Sequence, residues 1–116
     1  MTRSDKINYL ELPSVNPEGS KAFFSAVFGW TFVDYGPDYL AFFDAGLEGG
    51  FYRAPQVATT AQGGALVVLR SDNLEQSLAA VAAAGVTITK AIFSFPGGRR
   101  FQFLEPGGNE FAVWAE

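Results

Sequence analysis

The chain has 116 residues, enough for one compact unit hiding about two-thirds of the surface its unfolded form would expose, and too few for a second independent core. Eight Lys and Arg against twelve Asp and Glu give a net charge of −4, the wrong sign for a phosphate-backbone partner; Arg99-Arg100 is the only adjacent basic pair. Cysteine and histidine are both absent, which excludes disulfides, thiolate chemistry, an imidazole base and the commonest transition-metal ligand.

A hydrophobic fraction of 48% and an aromatic fraction of 16% are those of a folding chain. Met1 to Lys6 leads into an apolar-alternating run with no signal-peptide core, and no apolar stretch approaches the ~20 residues a membrane span needs. The expectation is a soluble cytoplasmic protein without membrane or nucleic-acid partners.

In chain order, Ile7 to Leu12 alternates as a strand, with Tyr9 and Glu11 on one face and Leu10 and Leu12 on the other. Asn16-Pro17-Glu18 opens a helix, since Asn caps, Pro suits the first helical position and Glu favours the positive end of the dipole. Phe23, Phe24, Val27 and Phe28 form its apolar stripe and Gly29 stops it, giving a helix from Pro17 to Phe28. Trp30 to Tyr35 and Tyr39 to Phe43 read as a hairpin around Gly36-Pro37-Asp38. Asp44 to Gly50 reads as a loop and Phe51-Tyr52-Arg53 as the next strand.

Residues 54–64 carry no apolar period and connect this half, 7–53, to a second, 65–115. Leu66 to Arg70 is a strand, and Asn73 caps a helix with Leu74, Leu78 and Val81 on its core face, ended by Gly85. Val86 to Phe93 is a strand and Pro96-Gly97-Gly98 a loop. Glu105-Pro106-Gly107-Gly108-Asn109 turns the closing hairpin between Phe101-Gln102-Phe103-Leu104 and Glu110 to Trp114. The halves echo each other. Setting Tyr9 on Leu66 also sets Leu12 on Leu69 and Asn16 on Asn73, and setting Asp44 on Glu105 sets Gly46 on Gly107. The chain therefore reads as a single α+β domain of two tandem βαβββ modules.

Two such modules, Asn-Pro-Glu opening a first helix that ends Phe28-Gly29-Trp30, and the late Glu-Pro-Gly-Gly-Asn turn together resemble the vicinal oxygen chelate superfamily of glyoxalase I, bleomycin-resistance proteins and extradiol dioxygenases. The resemblance implies a curved mixed sheet in each module, the two enclosing a cleft with helices outside. It also implies, for catalytic members, a divalent metal held at positions that here are Tyr9, Gly50 or Phe51, Leu66 and Ala112. Aliphatic and aromatic carbon has no lone pair to offer, so no metal and no cofactor are expected.

Glu11 and Glu110 share the cleft face with Tyr9 and Ala112. They read either as an oxygen-only metal site or acid–base pair, or as solvated or Arg-paired carboxylates. Tyr9, Phe51, Phe101, Phe103 and Trp114 read either as an aromatic cleft wall or as core and dimer contacts, with Trp114 the pocket residue and Phe111 the core residue of the last strand. Arg53, Arg99 and Arg100 read as anion clamps or as solvated cations. No triad is possible without histidine. The expected function is a small-molecule-binding protein with an apolar aromatic cleft, forming a homodimer. The alternatives are a lyase or dioxygenase-like enzyme built on Glu11 and Glu110, or a protein-interaction module.

Overall fold

The computed structural model describes residues 5–116; Met1–Ser4, part of the stretch read as lacking a signal-peptide core, lie outside the described residues. The first half runs β1 (Leu10–Ser14), α1 (Pro17–Phe28), β2 (Thr31–Asp34), β3 (Tyr39–Phe43) and β4 (Gly49–Arg53). After a single 3₁₀ turn at Thr60–Gln62, the second runs β5 (Val67–Arg70), α2 (Leu74–Ala83), β6 (Ile88–Phe95), β7 (Gly98–Leu104) and β8 (Glu110–Ala115). Each half makes a four-stranded mixed sheet, in the orders β1-β4-β3-β2 and β5-β8-β7-β6, with the first and last strands parallel and the rest antiparallel. The fold is α+β with the element order βαβββ twice. Among the described residues, no helix is long and apolar enough to cross a membrane.

The echo between halves extends to individual hydrogen bonds. Asn16 and Asn73 share a φ of −148°, and each side chain accepts the backbone N–H three residues on, from Gly19 and Gln76. Two residues earlier, Ser14 and Ser71 each accept the capping Asn N–H and pair through the hydroxyl with Ser20 and Ser77. The same short polar code thus starts both helices.

The helices cover one face of the sheets, and their apolar stripes meet a single core. Phe24 is fully buried, with its ring centroid 4.3 Å from Trp30, 5.7 Å from Phe51 of the first sheet and 4.9 Å from Phe111 of the second. Phe23 reaches Phe103 of β7 at 5.6 Å. One helix therefore ties both sheets together, and each such buried ring contributes about 1.5–3 kcal/mol.

The halves are also clasped by polar groups at the last turn. Buried Glu105 accepts from the Ser20 hydroxyl at 2.7 Å, the Gly107 N–H at 2.7 Å and the Asn109 side chain at 2.8 Å. Asn109 in turn donates to the Pro13 carbonyl and accepts from the Ala58 N–H. Burial pushes the Glu105 carboxyl up despite these donors.

Several element boundaries differ from the sequence reading, among them β2 at Thr31–Asp34, β5 at Val67–Arg70 and β6 at Ile88–Phe95. β4 begins at Gly49 rather than Phe51, because Leu10 and Glu11 pair with Gly49 and Gly50. Side chains there would collide: a Cβ on Gly49 would meet the Leu10 carbonyl and the Phe42 ring, and one on Gly50 the Tyr39 hydroxyl. β1 begins at Leu10, after Ile7 and Tyr9. The turn between β6 and β7 is shorter than Pro96-Gly97-Gly98, since Gly98 already pairs with Phe95.

Candidate functional site

The sheet faces turned away from the helices are the open faces, and alternation along each strand decides which residues stand on them. In the first sheet, Leu12 and Phe51 are buried toward the helices, so Glu11, Gly50, Ala41, Tyr39 and Tyr52 occupy the open face. Tyr39 donates to Glu11 Oε2 at 2.9 Å, and its hydroxyl stands 2.7 Å from that of Tyr9. A phenol has one proton, so with Tyr39 donating to Glu11 the Tyr9 hydroxyl must donate to Tyr39. Burial first, then the bonds to Tyr9 and Glu11, raise the Tyr39 pKa, which makes it a poorer acid than a free phenol. Gly50 makes room for the Tyr39 hydroxyl.

In the second sheet, Phe103 pairs with Phe111 and Phe101 with Val113, all buried toward the helices. The open face therefore carries Glu110, Ala112 and Trp114 of β8, Arg100 and Gln102 of β7, and Val68 and Arg70 of β5. From β6 it receives Lys90, opposite Gln102, and Phe93, opposite Arg100.

Glu110 is 6% exposed, and its carboxylate is saturated. Oε1 accepts from the Thr60 N–H at 2.9 Å and the Thr60 hydroxyl at 2.7 Å, while Oε2 accepts from the Thr89 hydroxyl at 2.8 Å and Gln102 Nε2 at 2.9 Å. Burial pushes this group up, but the donors on Thr60, Thr89 and Gln102 outweigh it and hold the carboxyl down at about 2. Glu110 is thus neither solvated nor paired with arginine. It is an ionised anchor joining the connector to the second sheet, with no proton to give near neutrality.

Farther along the same face, toward the other end of β8, Val68, Phe95, Pro96, Gly97, Arg100 and Trp114 line an open cavity of about 350 Å³. A larger hollow of about 490 Å³ lies between α1 and the β2–β3 turn, but its walls include the Lys21–Asp34 ion pair and no aromatic ring. The cavity on the second sheet is the better binding site, because its walls are aromatic and its cation is unpaired.

The structure divides the expected site residues. Tyr9 and Glu11 stand on the first open face; Glu110 and Trp114 stand on the second. Phe51, Phe101 and Phe103 correct the expectation of a cleft wall, for all three are 0% exposed in the core. The reason is register, since Phe101 and Phe103 alternate with Gln102, and it is Gln102 that sits opposite Ala112. Of the anion-clamp candidates, Arg53 pairs with Glu18 and Asp38 and Arg99 with Glu75, leaving Arg100. Tyr39, Phe95 and Gln102 belong to the open faces and were missed; for Gln102 the signal was a polar residue flanked by two phenylalanines.

Residues 6–113 match the sequence model of the Glyoxalase/Bleomycin resistance protein/Dioxygenase superfamily. The chain belongs to this superfamily. Solved structures of the same fold include a glyoxalase/bleomycin resistance protein/dioxygenase family enzyme from Burkholderia phytofirmans PsJN, with a TM-score of 0.76 at 16% identity, covering 93% of this chain and 96% of that one. Lactoylglutathione lyase from Agrobacterium tumefaciens has a TM-score of 0.75 at 14% identity, over 98% and 96% of the two chains. TnmS3, an antibiotic binding protein from Streptomyces sp. CB03234, has a TM-score of 0.70 at 17% identity, over 99% and 98%. No curated protein matches the chain.

The metal positions implied by resemblance to catalytic members of the superfamily are Tyr9, Gly50, Leu66 and Ala112, with Gly50 rather than Phe51 on the open face. Gly50 has no side chain, Leu66 and Ala112 have no donor atom, and the Tyr9 hydroxyl is engaged with Tyr39. Nor does Glu110 substitute, since four donors surround its oxygens and a cation among them would meet N–H and O–H groups. Among the described residues, no group of three or more His, Cys, Asp or Glu stands together to hold an ion. These side chains do not fit the divalent centre of the catalytic members.

Proposed function

We propose that the chain is a small-molecule-binding protein of the glyoxalase/bleomycin-resistance type, using the open face of its second sheet. The observation that carries this reading is the cavity of about 350 Å³ between Phe95 and Trp114. Its apolar walls and single polar guanidinium suit capture rather than chemistry, because no carboxylate lines it and Glu110, elsewhere on the same face, is already saturated. The likeness in fold to TnmS3, an antibiotic binding protein, supports it. Binding of this kind needs no cofactor and no nucleic acid, and the proposal keeps the cytoplasm as its setting.

A homodimer is part of the reading. Tyr9 at 43% and Val68 at 42% exposure leave apolar surface on both open faces for a second copy to cover. Sedimentation showing one chain per particle at micromolar concentration would contradict it. The binding proposal itself is tested by thermal unfolding against a panel of neutral and charged aromatic compounds. A binder should raise the midpoint for the native chain and not for Trp114→Ala. A panel that leaves the midpoint unmoved throughout argues against the proposal.

A further inference from the structure

We infer that the cavity on the second sheet takes a flat aromatic carboxylate, with Arg100 as the residue that reads its charge; this rests on the small-molecule reading above and deepens it. Arg53, Arg70 and Arg99 each hold a carboxylate in an ion pair, whereas Arg100 holds none among the described residues. Its Nε is buried and has no hydrogen-bond partner, a costly state for a charged donor.

The surroundings fix the guanidinium rather than neutralise it. Its Cζ lies 5.2 Å from the Phe93 ring and 5.5 Å from the Phe95 ring, and Lys90 Nζ lies 5.7 Å from the same Phe93. Two cations thus share one ring with no carboxylate paired to either among the described residues, in a chain whose net charge is −4. Arg70 also approaches Trp114, at 5.9 Å, but Asp72 and Glu116 already neutralise it. Glu110, on the same face but in the pairing row of Leu104 rather than that of Arg100, has its oxygens taken by Thr60, Thr89 and Gln102.

A carboxylate meeting a guanidinium side-on uses Nε–H and one Nη–H together, which satisfies the orphaned donor. A single negative charge suits one fork and one ammonium, while a dianion would want more donors than the apolar walls supply. Phe95 and Trp114 in those walls favour a flat ring as the ligand's body.

The test follows the Arg100 Nε–H, the Gly97 amide and the Trp114 indole N–H by NMR in the ¹⁵N-labelled full chain. It titrates 2-naphthoate against its neutral counterpart, 2-naphthamide. Naphthoate should shift all three signals and bind at least about tenfold more tightly than the amide, the discrimination expected of a charge-assisted bidentate contact. Arg100→Gln should erase that preference, so that acid and amide bind alike, and Arg100→Lys should retain part of it; unchanged thermal midpoints establish that both variants fold. Equal binding of acid and amide would overturn the carboxylate inference and leave the small-molecule reading standing. Silence at Gly97 and Trp114 with both probes would overturn both. An Arg100 Nε–H already protected without probe, increasingly so with protein concentration, would mean that a second copy's carboxylate fills the cavity and would also overturn the inference.

Discussion

The two open faces are built from the same topology and differ in how their polar groups are satisfied. On the first sheet, Tyr9, Tyr39 and Glu11 hand a single line of protons to a carboxylate and leave no donor over. On the second, Glu110 is equally complete, yet Arg100 on the adjacent strand keeps a buried N–H with no partner among the described residues. Polar content alone would point to the first face, with its three tyrosines. The unsatisfied group points to the second, because a donor held away from water without a partner is a free-energy debt that a ligand can settle.

The faces share one core, and the largest test is to break it. Phe24 contacts Phe51 beneath the first face and Phe111 beneath the second, so Phe24→Ala should cost about 3–5 kcal/mol and loosen both sheets in one transition. Urea unfolding followed by probes in each sheet checks this. Two separated transitions would mean that the halves are independent units.

Next in size is the anchor under the second face. Glu110→Gln places an amide against four donors and should cost about 2–3 kcal/mol near neutrality. The sign follows from the depressed folded pKa: the carboxylate's contribution is complete above its ordinary range and is lost as pH falls toward about 2. Native and variant stabilities should therefore converge in strong acid. Glu105 works in the opposite direction, since burial raises it and its protonation favours the folded form. An undiminished gap between the two proteins at low pH would remove the anchor from the account.

How much of this was legible depended on whether the signal was local. Asn16 and Asn73, the glycine stop at Gly29 and the Glu105 to Asn109 turn follow from neighbouring residues, and the βαβββ order follows from them. The faces of Phe101 and Phe103 depended on pairing with β8, so aromatic type misled where the alternation around Gln102 would have served. Glu110 looked like a surface carboxylate because three of its four donors, on Thr60 and Thr89, come from segments distant in the chain. The isolation of Arg100 was invisible for the same reason, since nothing local marks it off from Arg99, which pairs with Glu75.

Two smaller perturbations sharpen the contrast from the other side. Gly50→Ala puts a methyl group against the Tyr39 hydroxyl and 2.8 Å from the Leu40 carbonyl, which is backbone and cannot swing away. The expected cost is about 1–3 kcal/mol by overpacking, read as a lowered unfolding midpoint. Tyr39→Phe keeps the ring and removes the donor to Glu11 and the acceptor for Tyr9, so on this exposed face it should cost about 1 kcal/mol or less. Its value lies in what it should leave alone: aromatic probes held by Phe95 and Trp114 should bind the variant with unchanged affinity. A loss of binding would show that the tyrosine face of one copy closes over the cavity of another, making the two faces halves of a single site.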